Sequence, residues 1–491
     1  MRDWLAVRAN ATPGATALRA DGLGGDRSYA ALDDRAETLA GRLAAVGVCV
    51  DDSVAICAGT RLEFVVAVHA VQRLGAVLVP IDARGTAGEI EHRVERISPT
   101  AILCERGTES AVRGAATGTA LSFDEPEAGA TALTETDPEP FDLPEWELAD
   151  PLAVLFTSGT TGEPKAVVLT LGNVLASATA SAFRLGLRGD DCWHVPLSMS
   201  HMGGLAPVYR SVLYGTALSI QRDFDAESTL ERLSAADATA VSIVPTMLER
   251  LLDAGSIPEL RFVLLGGAPC PPELLARAQE RDVPVAPTYG MTETASQIAT
   301  ARPEEAREAP ESVGYPVMFA EHSVVDGVGA PCDPGESGEL VVSGPMVTPG
   351  YLDAEATADR FLNGGLRTGD RGYRDEDGRV YVLGRADGTI VTGGENVDPN
   401  EVSAALREHP SVDDCAVVGL DDDEWGERVA ALVVPADGAD PTSDELETHC
   451  RGRLAGYKLP RTIGFAGAVP RTASGTVDRE AVVDRLRDAS A

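Results

Sequence analysis

The segment TSGTTGEPKAVVLT, which begins at Thr157, combines glycines, hydroxyl side chains and one lysine. Gly159 and Gly162 free the backbone to turn tightly, so that consecutive N–H groups can converge on an anion. Lys165 adds a mobile point charge, and it is one of two lysines in 491 residues, the other being Lys458. The spacing differs from the G-x-x-x-x-G-K-[ST] pattern of a Walker loop. We predict a phosphate-binding loop, since the alternative, a plain hairpin, would not explain a lysine retained here.

Three later segments carry further groups suited to a nucleotide. In PTYGMTETASQ, Tyr289 offers a flat face for stacking, Thr292 a hydroxyl, and Glu293 a hard oxygen suited to Mg²⁺. Asp370 in RTGDRGY can accept from two ribose hydroxyls, and Arg385 in GRADG can donate to the same sugar or to phosphate. Each group alone is more often a solvated surface residue, so the prediction depends on their order and combination.

The elements that must position these groups follow an alternating pattern. SVAIC, AVLVP and TAILC are predicted as buried strands, and LEFVVAVHAVQRLG as a helix. LAVLF, KAVVLT, CWHVP, ALSIQ, AVSIV, RFVLL and VPVAP are further strand candidates. The alternation of strands and helices predicts an α/β fold with mainly parallel sheets. The acidic stretch 107–150 is predicted as a surface loop.

The sequence pattern changes in the last third of the chain. Gly-rich turns and short strands over about 320–383 predict a β-rich subdomain. Beyond it we expect a compact α+β segment, with a helix over 398–408, strands in DCAVVGL and RVAALVVP, and helices near 442–455 and 477–488. We place the domain boundary at GRADG, between a strand and this new set of elements.

Composition disfavours several other classes of protein. The formal charge of −36 would repel nucleic-acid phosphates, and no apolar run reaches the length of a membrane span. The acids are spread along the chain, which predicts a salt-rich (halophilic) setting, where a short Debye length screens self-repulsion. The start MRDWLAVRANATPG has no apolar h-region, and the eight cysteines lack a C-x-x-C pair. We therefore expect buried free thiols and a cytoplasmic location.

Together, TSGTTGEPK, YGMTE, TGD, GR and GGEN have an order and spacing that resembles the adenylate-forming superfamily, which includes acyl-CoA synthetases and the adenylation domains of peptide synthetases. The resemblance covers nearly the whole chain. It implies a large N-terminal domain of layered sheets and helices (1–383) that binds ATP and an acid, and a small mobile C-terminal lid (384–491). It also implies that a carboxylate and MgATP give acyl-AMP and pyrophosphate, and that a thiol then takes the acyl group.

The resemblance carries roles over to matching residues of this chain. The ATP- and AMP-binding set it implies is Thr157, Ser158, Gly159, Thr160, Thr161, Gly162, Lys165, Gly267, Ala268, Tyr289, Gly290, Thr292, Asp370 and Arg385. The catalytic set is Lys165, His201, Thr292, Glu293 and Lys458, with Glu293 as the metal ligand. Asp387 would be the hinge, and Gly393, Gly394, Glu395 and Lys458 would face coenzyme A from the lid.

Two segments narrow the choice of acid. HMGGLAPVYRSVLYG and YGMTETASQI are most similar to the 2-succinylbenzoate–CoA ligases of menaquinone biosynthesis. This implies an acid-binding set of His201, Gly267, Ser296 and Gln297. His201 stands two residues further from Pro196 than the family pattern P-L-x-H places it. The alternatives are a CoA ligase for another aryl or medium-chain acid, or a nucleotide-binding homologue with impaired adenylation; a homo-oligomer is compatible with the sequence.

One departure bears on the first half-reaction. Superfamily members commonly end with P-R-T-x-x-G-K, whose lysine bridges the acyl carboxylate and the α-phosphate, whereas this chain has Thr476 there. A hydroxyl cannot supply that charge. Arg471, Arg479 or Lys458 could substitute, or adenylation could be slower, and a loss of catalysis is the third reading.

Overall fold

The strands predicted from apolar runs are present, and they form layered sheets. The computed structural model describes residues 3–19, 25–115, 117–157, 164–385, 388–471 and 477–490. It divides into a first unit (Met1–Ala83, Ile90–Phe156 and Ala166–Gly384) and a second unit (Arg84–Glu89, Thr157–Lys165 and Arg385–Ala491). The α/β fold class is confirmed, while the division into an ATP- and acid-binding domain (1–383) and a moving lid (384–491) stays a prediction.

Strands and helices alternate through most of the chain before Arg385. The helices are α1 (Trp4–Ala11), α2 (Tyr29–Ala45), α3 (Leu62–Leu74), α4 (Ala87–Ile97), α5 (Glu109–Gly114), α6 (Leu171–Leu185), α7 (Met202–Tyr214), α8 (Ala226–Ala235), α9 (Pro245–Ala254), α10 (Pro272–Gln279), α11 (Pro303–Glu308) and α12 (Ala354–Arg360). The strands are β1 (Thr16–Arg19), β2 (Arg27–Ser28), β3 (Ser53–Cys57), β4 (Val77–Ile81), β5 (Ala101–Cys104), β6 (Thr119–Ser122), β7 (Thr131–Ala132), β8 (Pro151–Thr157), β9 (Lys165–Thr170), β10 (Cys192–Val195), β11 (Ala217–Ile220), β12 (Ala240–Ile243), β13 (Phe262–Leu265), β14 (Val285–Met291), β15 (Ser296–Thr300), β16 (Tyr315–Pro316), β17 (Glu321–Val325), β18 (Gly338–Ser343), β19 (Gly350–Tyr351), β20 (Phe361–Leu362), β21 (Gly365–Arg374) and β22 (Val380–Arg385).

Two large sheets carry the predicted parallel strands. One has the order β16-β15-β14-β13-β12-β10-β11-β1-β2, and its strands from β14 to β1 run parallel. The other has the order β19-β9-β8-β4-β3-β5-β6-β7, with β3, β4, β5, β6, β7 and β8 parallel. Parallel strands joined by helices end at one edge of their sheet, where the connecting loops collect.

The largest core joins both sheets to the helices between them. Fully buried side chains from α3 (Phe64) and α7 (Tyr209) pack in one cluster with Ile56 of β3 and Leu218 of β11. Helix α7 is therefore buried along most of its length, and its N-terminus lies at the end of the loop that follows β10. A five-stranded sheet of order β17-β18-β21-β20, with β22 beside β21, confirms the predicted β-rich subdomain.

The prediction of a surface loop over 107–150 was wrong in part. Helix α5 and strands β6 and β7 lie inside this stretch. Leu121 of β6 pairs with Leu103 of β5 and is fully buried, and the carboxylate of Glu109 accepts three backbone N–H groups from residues 127, 128 and 130. These short elements depend on pairing with distant residues, which a local acidic composition conceals.

The chain from Arg385 onward has the predicted α+β composition. It contains β23 (Ile390–Thr392), β24 (Glu395–Val397), α13 (Pro399–Arg407), β25 (Val412–Asp422), β26 (Gly426–Pro435), α14 (Ser443–Arg451), β27 (Thr462–Phe465) and α15 (Arg479–Ser490). The sheet order is β24-β23-β26-β25, with β27 parallel to β26. The Pro399 start of α13 is capped by the Asp398 carboxylate, which accepts from Asn400 N at 2.8 Å.

Two further expectations can be compared with the structure. All eight cysteines are free, and five are buried, but Cys49 is exposed, against the expectation of buried thiols, because it lies in the loop between α2 and β3. Within the part of the chain that the structure describes, no helix combines the length and apolar character needed to cross a bilayer.

Candidate active site

The loops that leave β13 and β10 carry the predicted Gly267, Ala268 and His201. Leu265, the last residue of β13, pairs with Pro287 of β14, and a Cβ at the next residue, Gly266, would lie 2.8 Å from the Thr288 Cγ2 atom. Gly267 has φ 81°, a left-handed conformation that glycine adopts without steric cost. The backbone after β13 is therefore held close to β14, which presents Tyr289 one residue further on.

Tyr289 and Asp370 are brought together by the fold. The Tyr289 hydroxyl donates to Asp370 Oδ2 at 2.6 Å, although 81 residues separate them. Asp370 lies in β21 and is 6% exposed, and its backbone N–H donates to the Thr368 hydroxyl at 3.0 Å. The groups predicted for stacking on the nucleotide and for binding its ribose thus share one hydrogen bond, which fixes the Asp370 carboxylate relative to the Tyr289 ring. Arg385 ends β22, which pairs with β21; its side chain lies outside the described residues.

Glu293 is a buried carboxylate in a short 3₁₀ turn, Thr292–Thr294. The Tyr351 hydroxyl donates to Glu293 Oε1 at 2.8 Å, and Thr348 N donates to the Glu293 carbonyl at 2.7 Å. A single oriented carboxylate fits Mg²⁺, which is usually held by one or two carboxylates together with substrate phosphates. The donor set therefore fits the predicted metal role, in which Glu293 would hold the ion and Thr292, partly exposed beside it, would face phosphate.

The turn after Glu293 has an unusual backbone. Ala295 has φ 50° and Ser296 has φ 124°, two successive positive values in residues other than glycine. Such conformations persist only where surrounding contacts enforce them. Gly290 allows the turn to close, since a Cβ there would lie 1.7 Å from the Ser296 carbonyl oxygen. Gln297 points into the sheet, where its amide nitrogen donates to the Thr300 hydroxyl at 2.8 Å.

His201 is the N-cap residue of α7, and its backbone N–H donates to the Ser198 carbonyl in the preceding turn. Its ring is 41% exposed, and its Nε2 lies 3.6 Å from Oδ2 of Asp82, whose side chain is 7% exposed and which directly follows β4. The two large sheets therefore each contribute one group here. A partly exposed imidazole beside a buried carboxylate can be oriented toward a bound substrate.

Strand β8 ends at Thr157 and β9 begins at Lys165, which is partly exposed. The predicted phosphate-binding residues between them, Ser158, Gly159, Thr160, Thr161 and Gly162, lie outside the described residues. The same holds for the predicted hinge Asp387 and for Thr476.

In the second unit, Gly393 and Gly394 form the turn between β23 and β24. Their φ values of 58° and 84° are those of a two-residue type I′ hairpin turn, in which Thr392 pairs with Glu395. Glu395 is ion-paired with Arg84, with 2.6 Å between Oε1 and Nη2.

The cations suggested as substitutes at Thr476 include two with carboxylate partners. The Lys458 side chain is 4% exposed, and its Nζ lies 2.7 Å from Oε1 of Glu401 and 2.5 Å from Oε1 of Glu89. Arg471 pairs with Asp414 at 2.8 Å. In this arrangement carboxylates of the second unit balance the positive charge of the Lys458 ammonium.

Sequence reasoning missed one residue, Arg210. It lies on α7, nine residues after His201, and is 3% exposed. Its Nη2 donates to the Ser177 hydroxyl at 3.3 Å, and the same hydroxyl donates to the Ala295 carbonyl at 2.8 Å. The signal in the sequence was an arginine inside the apolar helical run GGLAPVYRSVLY.

Comparisons with known proteins agree with this architecture. The family model described as "AMP-binding enzyme" matches residues 5–352, and "AMP-binding enzyme C-terminal domain" matches residues 401–476. The 2-succinylbenzoate–CoA ligase of Bacillus licheniformis is 37% identical over 484 residues, covering 97% of this chain and 98% of that protein. The 2-succinylbenzoate–CoA ligase of Geobacillus kaustophilus is 39% identical over 480 residues, covering 96% of each chain.

Solved structures show the same likeness. A double mutant of the o-succinylbenzoate CoA synthetase of Bacillus subtilis, bound to the product analogue OSB-NCoA, is 34% identical with a TM-score of 0.92 and covers 100% of this chain and 98% of its own. An amide bond synthetase from Marinactinospora thermotolerans is 30% identical with a TM-score of 0.89, covering 98% and 99%. The chain belongs to the AMP-binding enzyme family. The predicted membership of the adenylate-forming superfamily is thereby confirmed.

Proposed function

We propose that the protein is an ATP-dependent acid–CoA ligase whose substrate is 2-succinylbenzoate, a step of menaquinone biosynthesis. Relatives covering almost its full length carry that name. The proposed co-substrates are MgATP and coenzyme A, and a solved relative is described in complex with ATP and magnesium. The roles that the sequence analysis predicted for the site residues are part of this proposal.

The observation that carries the choice of acid is the buried guanidinium of Arg210. Among the described residues, no carboxylate is recorded as an ion-pair partner for it, and burial lowers its pKa. An uncompensated charge in the interior is costly, and a bound carboxylate relieves that cost through charge-assisted hydrogen bonds. Arg210 therefore suits a substrate with an anionic group besides the one that reacts.

2-Succinylbenzoate has two carboxylates, one on its succinyl chain and one on its ring. In the proposed complex the ring carboxylate pairs with the fork of Arg210, and the succinyl carboxylate lies toward His201. Arg210 lies nine positions after the N-cap His201, which corresponds to about 13.5 Å along the axis of α7. Ser296, one of the predicted acid-binding residues, directly follows Ala295, whose carbonyl accepts from the Ser177 hydroxyl that Arg210 also contacts.

The reaction then follows in two steps. A succinyl carboxylate oxygen attacks the α-phosphorus of ATP, which forms the acyl-AMP anhydride and releases pyrophosphate. The coenzyme A thiolate attacks the acyl carbon, which forms the thioester and releases AMP. Lys165 neutralises charge on the departing pyrophosphate, because a compact ammonium can follow moving phosphate oxygens. Tyr289 and Asp370 hold the nucleoside, so that the α-phosphate meets the carboxylate in line.

The test is an AMP-release assay that compares 2-succinylbenzoate with 4-oxo-4-phenylbutanoate, which lacks only the ring carboxylate. We expect kcat/KM to favour 2-succinylbenzoate by about 100-fold or more, since a buried charged donor left unpaired penalises the truncated acid. Arg210→Gln should remove this preference, and Arg210→Lys should restore only part of it. Equal kcat/KM values for the two acids in the wild type would favour a ligase for another aryl acid. Product formed with amines in place of coenzyme A would favour an amide synthetase.

A further inference from the structure

The buried face of α6 carries polar side chains at four-residue spacing. Asn173, Ser177 and Ser181 are 6%, 3% and 1% exposed, and this spacing places them on one face of the helix. The Asn173 amide donates to the carbonyls of Pro345 and Val347 at 2.9 and 2.8 Å. Buried polar groups need hydrogen-bond partners. The partners of Asn173 lie in the loop that leads to the residues that form hydrogen bonds with Glu293. Helix α6 therefore holds a segment of the site through backbone carbonyls.

Ser177 holds a second segment in the same way. Its hydroxyl proton goes to the Ala295 carbonyl at 2.8 Å, and its oxygen accepts from Arg210 Nη2 at 3.3 Å. The three groups form a chain in which a guanidinium N–H donates to a hydroxyl that donates to a carbonyl. Each bond in such a chain polarises the next, so the hydroxyl donates more strongly while the cation is in place.

The segment at the end of this chain is the strained turn. Ala295 and Ser296 have positive φ values, and the absence of a side chain at Gly290 leaves room for the Ser296 carbonyl. Strained backbone needs contacts that prevent its relaxation. The Ser177 bond to the Ala295 carbonyl is one such contact, and it acts on the residue before Ser296.

We infer that Ser177 is a positioning residue that sets acid specificity, because one hydroxyl fixes both the Arg210 guanidinium and the Ala295–Ser296 turn. The inference rests on the proposed function, in which Arg210 receives the second carboxylate of the acid. Ser177 itself need not touch the substrate. Without its hydroxyl, Arg210 loses the one hydrogen-bond acceptor recorded for it among the described residues, and the turn loses a restraint.

The experiment measures kcat and KM of Ser177→Ala for 2-succinylbenzoate and for 4-oxo-4-phenylbutanoate. We expect KM for 2-succinylbenzoate to rise about 10- to 100-fold, as for a lost hydrogen bond to a charged group, while KM for the truncated acid changes by no more than about threefold. The ratio between the two acids is the decisive quantity, since general loosening of the fold would affect both. Ser177→Thr, which keeps a hydroxyl, should recover most of the ratio.

Ser181→Ala is the matched control, because it removes an equally buried hydroxyl from the same face of α6 one turn further on. It should leave the ratio unchanged. In an Arg210→Gln background, Ser177→Ala should have no further effect on the ratio, since the two residues act through one chain of bonds. The inference is overturned if Ser177→Ala reduces kcat/KM for both acids equally, or if its ratio matches that of Ser181→Ala. If the wild type does not prefer the dicarboxylate, the proposed function fails and the inference fails with it.

Discussion

Acidification should destabilise the folded chain through His194, a fully buried histidine in β10. Its Nε2 lies 3.1 Å from the Gln221 carboxamide oxygen, and its Nδ1 lies 3.0 Å from the Ser219 hydroxyl. A carboxamide oxygen can only accept, so Nε2 carries the proton and Nδ1 accepts from Ser219. Burial lowers the pKa of His194 to about 4, against a smaller opposing effect of the Gln221 hydrogen bond.

The magnitude follows from the difference between the folded and unfolded chains. Histidine in the unfolded chain has a pKa near 6.5. Below that pH the unfolded chain therefore binds a proton at this residue, whereas His194 in the folded chain stays neutral. The stability due to the neutral ring is fully present above pH 6.5 and is lost as the pH falls toward 4. Between pH 7 and pH 5 the loss for a fully buried group is about 2 kcal/mol in the free energy of unfolding.

The assay is denaturant unfolding at pH 7 and pH 5 at one KCl concentration, for the wild type and for His194→Gln. The wild type should lose about 2 kcal/mol more than the variant over this interval, whatever the stability of the variant at pH 7. Comparing the two chains cancels the effect of neutralising surface carboxylates. His92→Gln, an exposed position on α4, serves as the control and should lose as much as the wild type. Equal losses in wild type and His194→Gln, or a ring resonance that titrates near pH 6.5, would refute the reasoning.

Three further outcomes are expected. Lys165→Ala should slow pyrophosphate release by about 100-fold or more, with Lys165→Arg recovering only part of the rate; an unchanged rate in the alanine variant would contradict the phosphate role. Tyr351→Phe should raise the Mg²⁺ concentration for half-maximal activity about tenfold, because Glu293 loses an orienting donor, whereas Tyr381→Phe, whose hydroxyl bonds Asp375, should not. The free energy of unfolding should rise with KCl, since the charge of −36 repels itself; greatest stability in dilute buffer would disprove this.

The fold could be predicted where the residue pattern within a single segment is enough to indicate its secondary structure. SVAIC and FVLL are continuous apolar runs because both faces of a central parallel strand are buried, and both are strands in the structure. Strands β6 and β7 were missed because they are short and owe their pairing to β5, which a local pattern does not reveal.

The sequence pointed to single residues of the candidate site but did not predict the contacts between them. Tyr289 and Asp370 were singled out from separate segments, but their hydrogen bond depends on how β21 packs beside β14 and β15. Arg210 was missed for the same reason. An arginine in an apolar helix usually has a carboxylate partner, and only the folded chain shows that none is recorded for it among the described residues.

The way in which α6 holds its neighbours bears on how this scaffold could diversify. Asn173 and Ser177 grip main-chain oxygens, which every amino acid possesses. The side chains at 345, 347 and 295 can therefore change without loss of those grips, provided the backbone path is kept. New acid preferences could arise by substitution in the loops whose carbonyls α6 binds, while α6 itself stays constant.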